Sequence, residues 1–126
     1  MTKQNAGLFF IIFPIALLFL AVMFDNIMIL VESKRLEITT KNIIKDALTS
    51  NVNDYQAKVK EEYEKQKITT SQLEVMYEND ILFIYNTHRV TSFMGKIFGI
   101  NSYRVEVCFE GYLDGEKVII QEADYE

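Results

Sequence analysis

The sequence is poor in the residues that chemistry most often needs. Its 126 residues include one cysteine (Cys108), one histidine (His88), one proline (Pro14) and no tryptophan. A lone thiol excludes an internal disulfide framework and a cysteine-based zinc site. No serine sits in a nucleophile elbow, and the five glycines build no phosphate-cradling loop. His88, between Thr87 and Arg89, reads as a surface or turn residue. Glu61, Glu62 and Glu64 alternate with Lys58, Lys60 and Lys65, the pattern of a solvated helix face with i,i+4 pairs and not of an acid–base dyad. Glu122, Asp124 and Glu126 read as a solvated acidic end. The expectation is therefore no catalytic residue, no cofactor, no metal and no small-molecule substrate. Thirteen basic residues against eighteen acidic ones give a net charge of −5 with no long basic stripe, which argues against nucleic acid as a partner.

Long apolar sequence, by contrast, is concentrated in one place. Leu8–Phe24 is a run of seventeen residues without one charged or hydrogen-bonding side chain. Continued to Val31 as a helix it would be about 36 Å long, enough to cross a hydrocarbon core of about 30 Å with tilt to spare. No small-x-small cleavage site follows it, so the segment is expected to stay in place as an anchor. Pro14 removes one backbone donor near the membrane edge, where neighbouring helices or a terminal turn cover the freed carbonyl. Asp25 either marks the headgroup boundary or pairs with a partner inside the membrane; the boundary is the favoured alternative. Pro14 and Asp25 are thus the candidate membrane-helix packing residues. Lys3 lies on the short side of the span, and Lys34, Arg35, Lys41 and Lys45 lie on the long side. By the positive-inside rule this leans toward a cytoplasmic C-terminal domain, although the rule weakens when a long domain trails the helix.

Beyond Val31 the helical beat continues. Ile44, Leu48, Val52, Tyr55, Val59 and Tyr63 recur at spacings of three and four, which puts them on one face. Thr49–Asn53 are poor helix formers, with Asn51 or Asn53 placed to cap a second helix. Tyr55, Val59 and Tyr63 form the candidate interaction face, fit to lie on a sheet or on a partner helix. Residues 68–72 look like a connector, and Ile81–Tyr85 reads as a strand. From Tyr103 to Phe109 apolar and polar residues alternate, as in a strand with one buried face. Asp114-Gly115 is a hairpin turn signal, and Lys117–Gln121 is the returning strand. Ser92–Gly99 is expected to be a short helical or turn element covering the sheet. The fold class is α+β: residues 1–7 a short tail, 8–31 a transmembrane helix, 32–67 an amphipathic helical stalk, and 68–126 a small antiparallel sheet domain.

Two stretches carry a resemblance. Gly7 leads into an apolar helix with an early proline, Pro14; Phe24-Asp25 closes the span; a helix with Arg35-Leu36 and Ile44–Leu48 follows. Later, Val90–Ile100 forms a short amphipathic segment ending in Gly99-Ile100, succeeded by the alternating strand Tyr103–Phe109. In these features the chain resembles the TadE/TadG-like proteins, small single-span components of tight-adherence pilus systems. The resemblance implies a pilin-like fold and a single-pass protein of a bacterial cytoplasmic membrane with its C-terminal domain outside the cytoplasm. It also implies a structural or assembly role, pseudopilin-like, with the lipid bilayer, other pilus subunits and self as partners. Processed members of pilin-like families carry a glutamate a few residues after the cleavage glycine. Here no acid follows Gly7 until Asp25, so a full-length membrane form is expected. The alternative from the residues alone is a membrane-tethered accessory or sensor subunit of a transporter or signalling complex, with a cytoplasmic domain. Labelling of Cys108 by an impermeant thiol reagent separates the two.

Overall fold

The computed structural model describes residues 3–50 and 52–124. Asn51 as a cap, the start of the N-terminal tail and the last acidic residue, Glu126, lie outside them. Helix α1 runs from Lys3 to Thr49, 47 residues, through Pro14 and past Asp25 without interruption. The apolar span and the first half of the stalk are therefore one helix about 70 Å long at the usual rise. Its two halves live in different surroundings. Residues 7–20 are exposed throughout, whereas Leu36, Thr40, Ile43, Ile44, Ala47 and Leu48 are buried. Those six positions follow the 3.6-residue period of a single stripe.

The stalk ends where its sequence weakens. After Thr49 the chain leaves the helix, and α2 begins at Tyr55 and ends at Lys65. The cap is Asp54, one residue beyond the expected Asn53; its carboxylate accepts the Ala57 N–H at 3.2 Å. Val59 and Tyr63, one turn apart, are fully buried.

Four strands follow: β1 (Gln72–Glu78), β2 (Ile81–Thr91), β3 (Ser102–Asp114) and β4 (Lys117–Glu122). They form one antiparallel meander in the order β1-β2-β3-β4. Alternation decides the faces. Val105, Val107, Phe109 and Gly111 of β3 lie opposite His88, Asn86, Ile84 and Leu82 of β2, and this shared face meets α1 and α2. Leu73 and Val75 of β1 and Val118 and Ile120 of β4 pack at its margins. The fold is α+β, as the sequence leads one to expect, with β1 as an addition. The residues read as the end of a connector enter a hairpin whose two-residue turn, Asn79-Asp80, takes positive φ at both positions (54° and 65°). The second hairpin closes through Gly115-Glu116, with Gly115 at φ 68°.

One close approach sets the distance between layers. A Cβ at Gly111 would overlap Cγ2 of Ile44 and reach Leu48 Cδ1 at 3.4 Å. Glycine at this position lets α1 settle onto the sheet at the level of β3.

Candidate functional site

The most constrained polar site joins the two halves of the molecule. Asp25 is a carboxylate one residue beyond the charge-free run, yet only 4% of its surface is exposed. One oxygen, Oδ1, accepts the backbone N–H groups of Phe93 (2.9 Å) and Met94 (3.1 Å). The other, Oδ2, accepts those of Gly95 (2.8 Å) and Met94 (3.2 Å) and the Tyr103 hydroxyl (3.1 Å). Three successive N–H groups at the start of a turn make a nest for an anion, and here the protein's own side chain fills it. The clasp reaches across 68 to 78 residues of sequence and fastens the β2–β3 connection to α1 at the end of its charge-free run.

The connection is shaped for that clasp. The Ser92 N–H donates to the Asn101 carbonyl at 3.1 Å, and the Ile100 N–H donates to the Gly95 carbonyl at 2.9 Å. The Ser92 hydroxyl donates to the Ile100 carbonyl. Gly95–Phe98 form a single 3₁₀ turn ended by Gly99 at φ 83°. A Cβ on Gly95 would lie 2.6 Å from the Tyr103 hydroxyl oxygen, so a side chain there would push apart two members of the clasp. Burial and the neighbouring Asp25 carboxylate raise the pKa of Tyr103, which keeps its hydroxyl a donor.

The structure corrects several site expectations. The 3₁₀ turn does not cover the sheet: Phe93, Ile97 and Phe98 point away from the core and stay exposed. Asp25 is already satisfied by intramolecular donors, which removes the physical reason for pairing it with a partner's cation in the membrane. Pro14 is exposed on the bare half of α1. Tyr55, Val59 and Tyr63 do share a face, but that face is spent inside the chain. Val59 and Tyr63 are core residues, and the Tyr55 ring stacks on Tyr77 of β1 at 4.3 Å between centroids. They hold α2 to the chain's own sheet, the first of the two uses expected for this face, with Tyr55 half-buried.

Two further polar groups are buried where a surface position was expected or no signal existed. His88 is 8% exposed; its Nδ1 lies 2.9 Å from the Thr69 hydroxyl and 3.0 Å from the Thr69 carbonyl, and its Nε2 lies 3.4 Å from Glu32. It stitches α1 and the connector to β2. Behind it, the Tyr63 hydroxyl bonds Thr40, while the fully buried Asn86 amide makes no hydrogen bond of good geometry. Burial pushes the Tyr63 phenol up to about 12, with Thr40 and Asn86 acting in the opposite direction.

Chemistry elsewhere is sparse. Cys108 is half-buried in a shallow cleft with Ser33, Glu37 and Asp124. Burial, followed by the charges of Asp124, Glu110 and Glu106, raises its pKa, the opposite of what activates a thiol. No metal-binding cluster of His, Cys, Asp or Glu occurs among the described residues. What the site can do is mechanical: it fixes the sheet domain to a helix that is long and apolar enough to cross a membrane. Comparison of the chain with protein-family models, with curated proteins and with solved structures finds no match in any of the three.

Proposed function

We propose that this chain is a single-pass, membrane-anchored structural or assembly component, pseudopilin-like, of a tight-adherence pilus apparatus. One observation carries the proposal. An unbroken helix of 47 residues is bare along its apolar first half and laid into a four-stranded antiparallel sheet along its second. A soluble domain has no use for a protruding rod of that kind, because each exposed Leu, Ile or Phe forfeits about 1.5–3 kcal/mol of burial. The bare half serves as an anchor in lipid and as a packing surface for equivalent helices. The sheet supplies a second contact. β4 pairs with β3 only from Phe109 to Asp114, so Ser102–Val107 has no strand on the side away from β2 among the described residues. An extended segment of another subunit fits that open edge.

The test is genetic and visual. In the cells that make this protein, deletion of the chain should abolish surface filaments seen by electron microscopy. The intact chain should restore them, and a version with Leu17 and Leu20 replaced by Asp should not. Normal filaments in the deletion strain would end the pilus proposal.

A second reading, a tethered accessory or sensor subunit with a cytoplasmic domain, is favoured by the distribution of cations. Lys34 and Arg35 lie just past the span, and Arg89, Lys96 and Arg104 flank the clasped connection. Sidedness separates the readings. Cys108 is a poor probe because its thiol is half-buried and its pKa is raised. Glu116→Cys in a Cys108→Ala background puts the thiol on an exposed hairpin turn. Labelling by an impermeant reagent in intact cells supports the pilus reading; labelling only after lysis supports the second.

A further inference from the structure

The connection clasped by Asp25 carries more apolar surface than its own folding needs. Its backbone is closed by its own turns and by Asp25, and its buried members are Ser92 and Gly95. The large side chains face outward: Phe93 and Ile97 are each 66% exposed, Phe98 58% and Ile100 43%. Four such residues within eight positions of a connection form a patch, and patches of this kind mark interaction surfaces.

Three facts identify what covers it. The first is continuity. Phe24, the last residue of the charge-free run, packs its ring against Phe93 at 5.1 Å, and the Asp25 carboxylate holds the Phe93–Gly95 backbone beside it. The apolar surface of the span therefore passes directly onto the connection. The second is depth. From Leu8 to Asp25 the helix rises about 26 Å, so a hydrocarbon core of about 30 Å that begins at the charge-free run ends within about one turn of Asp25 and its clasp. The third is charge. Between Arg89 and Arg104 the sequence has no acidic residue, and Lys96 stands exposed in the middle, although the chain as a whole carries −5. Arg104 is paired with Glu106 at 3.0 Å, so Lys96 is the cation set within the apolar surface, and that combination complements an anionic lipid interface.

The geometry points to Phe93–Ile100 as a second membrane contact: an interfacial wedge that seats Phe93, Ile97 and Phe98 at the acyl boundary of the bilayer the anchor crosses, with Lys96 among the headgroups. This inference rests on the membrane-anchor part of the proposed function and deepens it. The domain is then pinned down on the bilayer at two places, the helix and the wedge, and does not swing on the helix alone.

The absence of tryptophan makes the test clean. Full-length Ile97→Trp, Phe19→Trp and Leu113→Trp variants are reconstituted separately into phosphatidylcholine–phosphatidylglycerol vesicles, with and without brominated acyl chains. Phe19 lies in the span, and Leu113 is an exposed residue at the far hairpin. Ile97→Trp is expected to fluoresce to the blue of Leu113→Trp and to lose intensity to brominated lipid, as Phe19→Trp does. Quenching at position 19 with none at 97 overturns the wedge and leaves the anchor standing. Quenching at neither overturns both. A blue-shifted but unquenched Ile97→Trp overturns the wedge in favour of a protein contact.

Discussion

Gly111→Ala tests how closely α1 is fitted to the sheet. Carbon atoms rest about 3.5–4.0 Å apart, and the new Cβ would fall well inside that distance from Ile44 Cγ2. It would also press on Leu48 Cδ1 and the Ile119 carbonyl, each at 3.4 Å. Ile44 is fully buried and branched at Cβ, so in a helix it has one strongly preferred rotamer and cannot swing clear. Helix and sheet must separate by roughly 1 Å or the core must distort, and overpacking of this kind costs about 1–3 kcal/mol. Stiffening of the unfolded chain by alanine returns about 0.4–1 kcal/mol. The net expectation is a loss of about 1–2 kcal/mol, or about 5–15 °C in the melting temperature of a domain this size. Thermal unfolding of the full chain in detergent, followed by circular dichroism, reads it. The cause is isolated by Ile44→Leu, which moves the branch from Cβ to Cγ at constant volume. Gly111→Ala should cost clearly less in that background, with a coupling of at least about 0.5 kcal/mol between the two sites. An additive double mutant, or a Gly111→Ala protein as stable as its parent, would refute the claim that this contact sets the spacing of the layers.

Two other perturbations follow from buried polar groups. The Tyr63 phenol titrates near 12 in the fold and near 10 when unfolded, so its contribution is complete below pH 10 and is lost as pH rises through 12. The loss, about 3 kcal/mol at full titration, should vanish from the alkaline denaturation profile of Tyr63→Phe; identical slopes for parent and variant between those pH values would contradict it. At the clasp, Asp25→Ala strips the Phe93, Met94 and Gly95 N–H groups of their acceptor. Hydrogen exchange of those three amides should accelerate by orders of magnitude while those of β2 and β3 keep their protection, and unchanged exchange at 93–95 would show that the clasp does not hold in solution.

The parts of this fold that were legible from sequence are those in which side chains carry the signal. The charge-free run from Leu8, the alternation from Tyr103 to Phe109, the weak joint after Thr49 and the Asp114-Gly115 turn all correspond to structural features. β1 escaped because the alternation of Leu73, Glu74 and Val75 is broken by the exposed Met76 and Tyr77, and its turn is Asn79-Asp80 with no glycine to announce it. The stripe of Tyr55, Val59 and Tyr63 was visible, but periodicity says only that a face is buried, not against what. The Asp25 clasp was harder still. An isolated carboxylate at a membrane exit stands out, yet its partners are mostly backbone N–H groups some seventy residues away, and backbone groups leave no mark in a sequence. Gly95 was the one available hint, since a close approach requires a missing Cβ there.

The clasp also fixes which end of the sheet lies nearest the apolar half of α1, and under the proposed function this bears on how a partner would reach the open edge. Tyr103 belongs to the clasp, so β3 starts at the foot of the anchor and runs away from it, and both two-residue hairpin turns lie at the far end. The stretch of β3 that β4 leaves unpaired, Ser102–Val107, is therefore the half nearest the apolar part of α1. A segment adding to it would run beside the foot of the anchor helix, within reach of its own subunit's span. Lateral packing of apolar helices and strand addition at this edge would then act on the same neighbour at the same depth. Two weak contacts joined through rigid elements reinforce each other far beyond either alone. A domain free to swing on its helix would lose that advantage, because the edge and the span would no longer present themselves to a neighbour in one fixed orientation.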